Sequence, residues 1–291
     1  MRKLLRKVPI LYNAIIGIVI KLYYDIVCRR CVKSLCPCDR TPQIIVSLTT
    51  YGRRVSDTVY YTIISILKQT MRPDRIILWL DDSWNDYTIP EKLKQTRDYG
   101  VEIYYYKDIK SYKKLIPTLK IANKDIIITV DDDVIYNKNL ISSLYCSYLQ
   151  NPKAIHCTQA LRPKMISSQY FDSYINWDMI TACCDNEDSF IFPVGVGAIL
   201  YPPLSLHIDV LREDLFTNLC PNADDIWFWI MAKLNRTEHI VVKLKPRYYS
   251  FDAIYQLLHK HSALTHTNRM QNENDIQLRN VIKHYNLHFD N

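Results

Sequence analysis

Glycine is scarce in this sequence, with five residues among 291. The two glycine-rich patterns that cradle phosphates, G-x-x-x-x-G-K and G-x-G-x-x-G, do not occur anywhere in the chain. The few glycines that are present therefore mark demands of the backbone, as at Gly52 after the first predicted strand and at Gly195 and Gly197 in a later apolar stretch. If the protein binds a phosphorylated ligand, groups other than these glycine-rich loops must hold its phosphates.

The chain also lacks an uninterrupted apolar stretch of the ~20 residues that a membrane-spanning helix needs. Residues 4–27 are rich in Ile, Leu, Val and Tyr, but Asn13, Gly17, Lys21 and Asp25 recur at every fourth position, which predicts a helix with a polar stripe. We expect this helix to lie in the membrane interface, with one tilted span as the alternative. The region after it has no small-residue cleavage site of a signal peptide.

Excess positive charge is absent outside the amino terminus. Of 37 basic and 30 acidic residues, residues 1–40 hold nine basic and two acidic ones, a net of +7, which leaves the rest neutral at 28 against 28. This distribution suits a basic arm that lies on anionic lipid, and it is poorly suited to tracking a nucleic-acid backbone. We therefore expect a membrane surface as a partner and no nucleic acid.

Cysteine shows no disulfide framework. The total of nine is odd, which points to a reducing compartment. A cluster after the arm predicts a juxtamembrane linker with reduced thiols, and a zinc site is the alternative; its members are Cys28, Cys31, Cys36 and Cys38. We expect a protein at the cytoplasmic face of a membrane, either peripheral or held by a single amino-terminal anchor.

No Ser- or Gly-rich linker divides residues 41–291, which are predicted to form one α/β domain. Alternating signals predict a mostly parallel sheet. The predicted strands are Ile44–Leu48, Arg75–Leu80, Val101–Tyr106 and Ile126–Val130, and the predicted helices are Val55–Lys68, one after Pro90 and one around Leu115. The second half, with a helix at Ile226–Leu234 and a strand at His239–Leu244, is expected to build over the sheet instead of extending it.

Three aspartates, Asp131, Asp132 and Asp133, directly follow the strand that ends at Val130. Carboxylates this close repel one another unless a cation joins them, and open α/β sheets place ligands at the carboxyl ends of strands. Hard divalent cations prefer carboxylate oxygen. Alternation along an extended segment predicts that Asp131 and Asp133 face one metal ion and that Asp132 faces the other way. An acidic turn that caps a helix is the alternative.

These residues resemble the donor half of a GT-A glycosyltransferase close to family 2. The resemblance runs from Gln43 to about Leu244, and it rests on three motifs after successive strands: Ser47 to Arg54, Asp81-Asp82 and the aspartate triplet. It implies a GT-A type, Rossmann-like, mostly parallel sheet with helices on both faces. The donor half would be residues 41–136, and residues 137–291 would form the acceptor half and the carboxy-terminal elements.

The resemblance also implies ligands. A nucleoside-diphosphate sugar, a UDP-sugar before others, would bind with Mn²⁺ or Mg²⁺ on Asp131 and Asp133. The donor-binding candidates are Thr49, Tyr51 and Arg53 for base and ribose, Asp82 or its neighbour Asp81 for the base, Asp132 for sugar or ribose, and Lys113 among the basic residues that could offset the diphosphate charge. Arg54 and Lys114 are further basic candidates, and solvated surface is the alternative for all four. A late histidine is an additional metal ligand in some related enzymes, and no spacing selects among His259, His261 and His266.

A second acidic pair, Asp224-Asp225, precedes the predicted helix Ile226–Leu234. The helix dipole favours an ionised carboxylate there, which can accept a proton. The pair is similar to the acidic motif that supplies the general base in inverting family members, with Asp225 as the best match and Asp224 as the second. An ordinary helix cap is the alternative.

Together these patterns predict a metal-dependent glycosyltransferase that moves a sugar from a nucleoside-diphosphate sugar to a hydroxyl of a glycan or lipid-linked acceptor. Inversion and a role in surface polysaccharide biosynthesis are expected. Two other classes remain open. A sugar-phosphate nucleotidyltransferase would normally have a glycine-rich phosphate loop after the first strand, and a non-catalytic membrane-attached module would use the acidic cluster only to bind a cation or nucleotide.

Overall fold

Runs of isoleucine and valine form the centre of a seven-stranded sheet, because strands that are buried on both faces favour β-branched side chains. The computed structural model describes residues 8–26, 32–35, 39–180, 190–244 and 272–289. Its strands are β1 (Ile44–Thr49), β2 (Arg75–Asp81), β3 (Val101–Tyr106), β4 (Ile126–Thr129), β5 (Ile155–Cys157), β6 (Ala160–Arg162), β7 (Met165–Ser167), β8 (Tyr170–Phe171), β9 (Asp178–Met179), β10 (Phe192–Pro193), β11 (Ile199–Tyr201) and β12 (His239–Val241). The main sheet has the order β12-β5-β11-β4-β1-β2-β3.

The pairing confirms a mixed α/β fold with a mostly parallel sheet. β1 is parallel to β2 and β4, and β2 is parallel to β3. β11 is antiparallel to both of its neighbours, and β12 is parallel to β5. The second half of the chain thus adds three strands to the sheet, so our expectation that it would not extend the sheet is wrong. The strand predicted at His239–Leu244 is observed as β12 (His239–Val241), whereas β5 and β11, with three residues each, are too short for a hydrophobic period to identify them.

Helices cover both faces of the sheet. They are α1 (Val8–Ile26), α2 (Arg54–Asp57), α3 (Val59–Leu67), α4 (Glu91–Lys94), α5 (Ile116–Ile121), α6 (Leu140–Gln150), α7 (Glu213–Leu219), α8 (Asp224–Leu234) and α9 (Glu273–Tyr285). Short 3₁₀ segments lie at Gln95–Tyr99, Lys110–Lys114, Tyr174–Asn176, Gly195–Gly197 and Ile208–Leu211. The predicted helix Val55–Lys68 is divided at Thr58 into α2 and α3.

Alternation along β4 shows how the two faces are filled. Ile126 and Ile128 point into one hydrophobic core with α3 and α6, whereas Ile127 points into a second core with α8 and α9. Both cores are therefore anchored on the central strand, which places the residues that follow β4 between two packed layers.

The amino-terminal segment packs against the domain at several points. Leu35 N–H donates to Tyr99 O at 2.8 Å, and Arg40 pairs with Asp74 at 3.1 Å. None of the helices in the described ranges is long and apolar enough to cross a membrane. The clustered cysteines, at positions 28, 31, 36 and 38, and the histidines at 259, 261 and 266 lie outside the described residues.

Candidate active site

The carboxyl ends of three adjacent parallel strands, β2, β1 and β4, form one edge of the sheet. A buried hydroxyl network beneath that edge ties the strands to α5, because Thr118 Oγ1 lies 2.7 Å from Ser47 Oγ and accepts a hydrogen bond from Trp79 Nε1 at 2.7 Å. This arrangement sets the segments after the three strands side by side, which is where open α/β sheets bind ligands.

The three aspartates lie in a turn and not in an extended strand, since β4 already ends at Thr129. The Arg54 guanidinium bridges two of them, with Nη1 at 2.8 Å from Asp132 Oδ1 and Nη2 at 3.1 Å from Asp133 Oδ2. Asp131 instead faces Lys114, whose Nζ is 3.4 Å from its Oδ1. The side chains therefore do not show the simple alternation of an extended segment, because Asp132 and Asp133 contact Arg54 and Asp131 contacts Lys114. The assignment of a metal ion to Asp131 and Asp133 stays a prediction. The turn does not begin a helix, so the capping alternative is also not observed.

The turn is fixed to a loop from the second half of the chain. Tyr136 Oη accepts a hydrogen bond from Asp131 N–H at 2.8 Å and donates one to Val196 O at 3.2 Å. Burial raises the pKa of Asp132, and the Arg54 charge and the Thr50 hydroxyl act in the opposite direction. The triplet is thus a partly covered, cation-paired group at the junction of the two halves.

The second acidic pair forms the first turn of α8, as expected from the sequence. Asp224 accepts a hydrogen bond from Ser111 Oγ at 2.8 Å, and Asp225 Oδ2 accepts one from Gly195 N–H at 3.0 Å. Ala223 is the N-cap residue, so neither aspartate caps the helix. Burial raises the pKa of Asp225 to about 7, against the lowering effect of the Lys114 charge.

Lys114 joins the two acidic groups. Its Nζ is 3.0 Å from Asp224 Oδ2 and 3.9 Å from Asp225 Oδ1, in addition to its contact with Asp131. Burial lowers the pKa of Lys114, but the three carboxylates raise it by more, so that the pKa lies well above its ordinary value. The lysine is therefore a fixed positive charge between the sheet edge and α8.

Gly195 makes this close approach possible. A Cβ at this position would lie 2.8 Å from Lys114 Nζ and 2.9 Å from Asp225 Oδ1, closer than real Cβ atoms come to other heavy atoms. The same loop holds Ala198 at a φ of 75°, which is uncommon for a residue with a side chain. Strained backbone of this kind tends to be found at functional sites.

The predicted base and ribose residues lie at the same sheet edge with different partners. Tyr51 is exposed and its ring lies 5.4 Å from the Arg54 guanidinium carbon, while Thr49 Oγ1 donates to Trp79 O at 2.9 Å. Arg53 pairs with Asp57 at 2.6 Å. After β2, Asp81 Oδ1 accepts a hydrogen bond from Ser83 N–H at 3.1 Å, and Asp82 is exposed.

The adjacent lysines have different partners. Lys113 is buried and pairs with Asp108, away from the aspartate turn, whereas Lys114 lies among the acidic side chains. Lys113 is the donor-binding candidate predicted from the sequence, whereas the structure places Lys114 among the acidic side chains. The two lysines are adjacent in a short 3₁₀ segment, so no sequence pattern shows which of them faces the site. No sequence pattern indicates a role for Ser111, and Gly195 stands out only because glycine is scarce in the chain.

The family follows from a comparison of the sequence with known families. Residues 45–198, more than half of the chain, match the family described as glycosyl transferase family 2. The chain belongs to this family. It is a GT-A family 2-like nucleotide-sugar transferase, as the resemblance of the motifs implied, and the matched segment includes both the aspartate turn and the Gly195 loop.

Solved structures with a similar fold have low sequence identity to this glycosyltransferase. S. aureus TarS in complex with UDP has 14% identity and a TM-score of 0.47 over 84% of this chain and 72% of that chain. A CMP:2-keto-3-deoxy-manno-octonic acid synthetase complexed with CTP has 12% identity and a TM-score of 0.43 over 75% of this chain and 97% of that chain. A search of curated proteins finds no match to the sequence.

Proposed function

We propose that this glycosyltransferase moves a sugar from a nucleoside-diphosphate sugar, with UDP-sugars as the first candidates, to a hydroxyl of a glycan or lipid-linked acceptor. The proposal includes a divalent metal ion, inversion at the anomeric carbon and a role in surface polysaccharide biosynthesis. The observation that carries it is the buried cluster in which Lys114 connects the aspartate turn to the acidic pair of α8.

A divalent cation fits the aspartate turn by its donor chemistry. The carboxylates of Asp131 and Asp133 are 31% and 11% exposed, so both can still be approached. Magnesium is usually bound by one or two carboxylates and the phosphates of a substrate, without a complete protein cage. Within the described ranges no group of three His, Cys, Asp or Glu side chains forms such a cage. Mn²⁺ or Mg²⁺ on Asp131 and Asp133 would supply a Lewis acid for the departing diphosphate.

Asp225 is the proposed general base, and Asp224 is the second candidate. The Gly195 N–H orients Asp225 through Oδ2, which leaves Oδ1 without a hydrogen-bond partner in the described part of the chain. A pKa of about 7 matches the requirement that a base be close to the working pH. Asp225 Oδ1 would take the proton from the acceptor hydroxyl, whose oxygen then attacks the anomeric carbon in one displacement and so inverts it.

Arg54 and Lys114 are the proposed charge partners of the donor diphosphate. Each contacts the aspartate turn from a different element, Arg54 from α2 and Lys114 from the 3₁₀ segment Lys110–Lys114. Charge-assisted contacts of this type are stronger than neutral hydrogen bonds. Both positive charges lie next to the turn, where they would offset the negative charge of the diphosphate.

The test is a panel of nucleotide sugars incubated with the purified protein, with Mn²⁺, with Mg²⁺ or with a chelator. We expect one donor class to raise the melting temperature, because ligands that bind only the folded state stabilise it, and we expect that donor to release its nucleoside diphosphate in the presence of metal. Asp214→Asn, which removes an exposed carboxylate paired with Arg212, is the matched control for substitutions of Asp224 and Asp225. It should leave the release of nucleoside diphosphate unchanged.

Three results would contradict the proposal. Release of pyrophosphate would indicate a nucleotidyltransferase. Stabilisation by nucleotide without any release, with every acceptor mixture supplied, would indicate a binding module. Full activity in the chelator would remove the metal from the proposal while leaving the transfer reaction in place.

A further inference from the structure

Helix α1 exposes an apolar face. Six large apolar side chains along it are between 48% and 72% exposed: Ile15, Ile18, Val19, Leu22, Tyr23 and Ile26. At about 100° per residue, these positions fall within an arc of about 140°, so they form one continuous ridge on the helix. Exposed apolar surface of this extent marks an interaction site more often than the scattered single residues that are normal on protein surfaces.

The opposite face of α1 is bound to the domain. Tyr24 is buried in the core that includes α3, and Tyr61 Oη of α3 donates to Asp25 Oδ2 at 2.9 Å. Lys92 of α4 pairs with Asp25 and donates to Tyr61 Oη at 2.8 Å. Three positions of the polar stripe therefore face the protein, because Gly17 is buried, Lys21 Nζ lies 5.4 Å from the centre of the Tyr61 ring and Asp25 accepts the hydrogen bond from Tyr61. A helix held along the domain in this way presents the six exposed apolar side chains outward.

We propose that the α1 ridge, defined as the six exposed apolar residues above, docks in the interface of an anionic lipid bilayer, with the helix axis along the membrane plane. Charge selects this occupant. Four basic residues directly precede the helix in the sequence, Arg2, Lys3, Arg6 and Lys7, and the first 40 residues carry the whole net charge of the chain. A ridge that buries apolar side chains beside basic residues is the pattern of interfacial helices on anionic lipid.

The network of Asp25, Lys92 and Tyr61 gives this docking a consequence for the enzyme. Because α1 is joined to α3 and α4 by an ion pair and by hydrogen bonds, and not only by the chain, lipid contact on the ridge fixes the orientation of the whole domain. The sheet edge with the aspartate turn is then held at one fixed orientation relative to the membrane. This docking is independent of the sugar chemistry proposed above.

The test is sedimentation of the full chain with phosphatidylcholine vesicles, with and without phosphatidylglycerol, at low and high salt. We expect binding to vesicles that contain phosphatidylglycerol and weaker binding at high salt. Ile18→Ser and Leu22→Ser should each reduce the partition about tenfold or more, because each removes a side chain from the lipid contact. Ile121→Ser is the matched control, since Ile121 is 53% exposed on α5, outside the ridge.

The substituted residues are exposed, so we expect the melting temperatures of the variants to equal that of the wild type. Unchanged melting temperatures would show that the variants fold normally. The proposal is overturned if the two ridge variants bind vesicles as the wild type does, or if the wild type binds none. It is also overturned if the wild type dimerises without lipid and Leu22→Ser makes it monomeric, because a second copy would then cover the ridge. Release of nucleoside diphosphate from a soluble donor should be the same in the ridge variants, so failure of docking and failure of the transfer proposal can be distinguished.

Discussion

Two groups of aspartates lie on either side of Lys114, and their surroundings are different. The aspartate turn after β4 has two cations, because Arg54 contacts Asp132 and Asp133 while Lys114 contacts Asp131. Within the described residues, Lys114 is the one cation that contacts the acidic pair of α8, and Ser111 and Gly195 add neutral donors. The carboxylates of the aspartate turn thus contact two cations, whereas those of the acidic pair contact one cation in the described part of the chain.

This difference separates the roles of the two groups. Carboxylates that contact cations at the sheet edge suit the binding of metal and phosphate, whereas a buried carboxylate with a raised pKa suits proton transfer. The pKa of Asp225, about 7 because of burial, places that residue in the second class.

The largest effect is expected for Asp225→Asn. Asparagine keeps the shape and the oxygen that accepts the Gly195 N–H, but it cannot take a proton at neutral pH, so kcat should fall by about 10²- to 10⁴-fold. Donor affinity, measured by calorimetry with the nucleoside diphosphate and metal, should stay within a small factor of the wild type.

Asp224→Asn provides the comparison for this prediction. Asp224 is held by Ser111 and Lys114, so its substitution should disturb the position of Lys114 and reduce kcat less than Asp225→Asn does. A larger loss at Asp224 would transfer the base role to that residue. Wild-type turnover in both variants would remove the acidic pair from the mechanism.

Replacement of the shared cation tests the comparison through stability. Lys114→Met leaves three carboxylates in partly buried positions without their common partner, and breaking a buried ion pair typically costs about 3–5 kcal/mol. Lys113→Met is the adjacent control, because its partner Asp108 is 61% exposed and remains solvated, so we expect a loss of about 0–1 kcal/mol. Urea unfolding of the two variants measures the difference. Equal losses would show that Lys114 has no special place in the cluster.

The strands in the first half of the fold could be predicted from the sequence because they are long and apolar. The strands at Ile44, Arg75, Val101 and Ile126 were placed to within one residue at each end, since runs of β-branched residues between turn signals identify buried strands. Of the added strands, β12 begins at the predicted residue His239, but β5 and β11 were not predicted as strands. Their position in the sheet depends on pairing between distant segments, and strands of three residues carry no period that would reveal it.

In the candidate site, too, some features could be predicted from the sequence and others could not. Asp131 to Asp133 and Asp224-Asp225 could be found because acidic residues in a row are conspicuous at the ends of apolar segments. The direction of each side chain could not, since a turn replaces the expected extended segment after Thr129. Gly195 matters through a contact with Lys114, 81 positions away in the chain, which no local pattern contains.

A methyl group at Gly195 should perturb the acidic pair with a smaller effect. The added Cβ in Gly195→Ala would meet both Lys114 Nζ and Asp225 Oδ1, so the base must shift, and a misplacement of about 1 Å can cost up to about 10²-fold in rate. Gly100→Ala is the control. Gly100 has a φ of 87° near Leu35, so its variant should lose stability and keep the wild-type kcat. A Gly195→Ala enzyme with normal kcat would contradict the close approach.

The smallest change is expected from pH alone. Since burial raises the pKa of Asp225 from its ordinary value of 3.8 to about 7, kcat/KM should rise with pH and reach half of its plateau near pH 7. Stability should change in the opposite direction. A carboxyl group whose pKa is higher in the folded state stabilises that state below its unfolded pKa, and this contribution is lost as pH rises toward the folded value. Urea titrations between those two pH values should show the loss in the wild type and not in Asp225→Asn, and a pH-rate profile without an acidic limb would place the proton acceptor elsewhere.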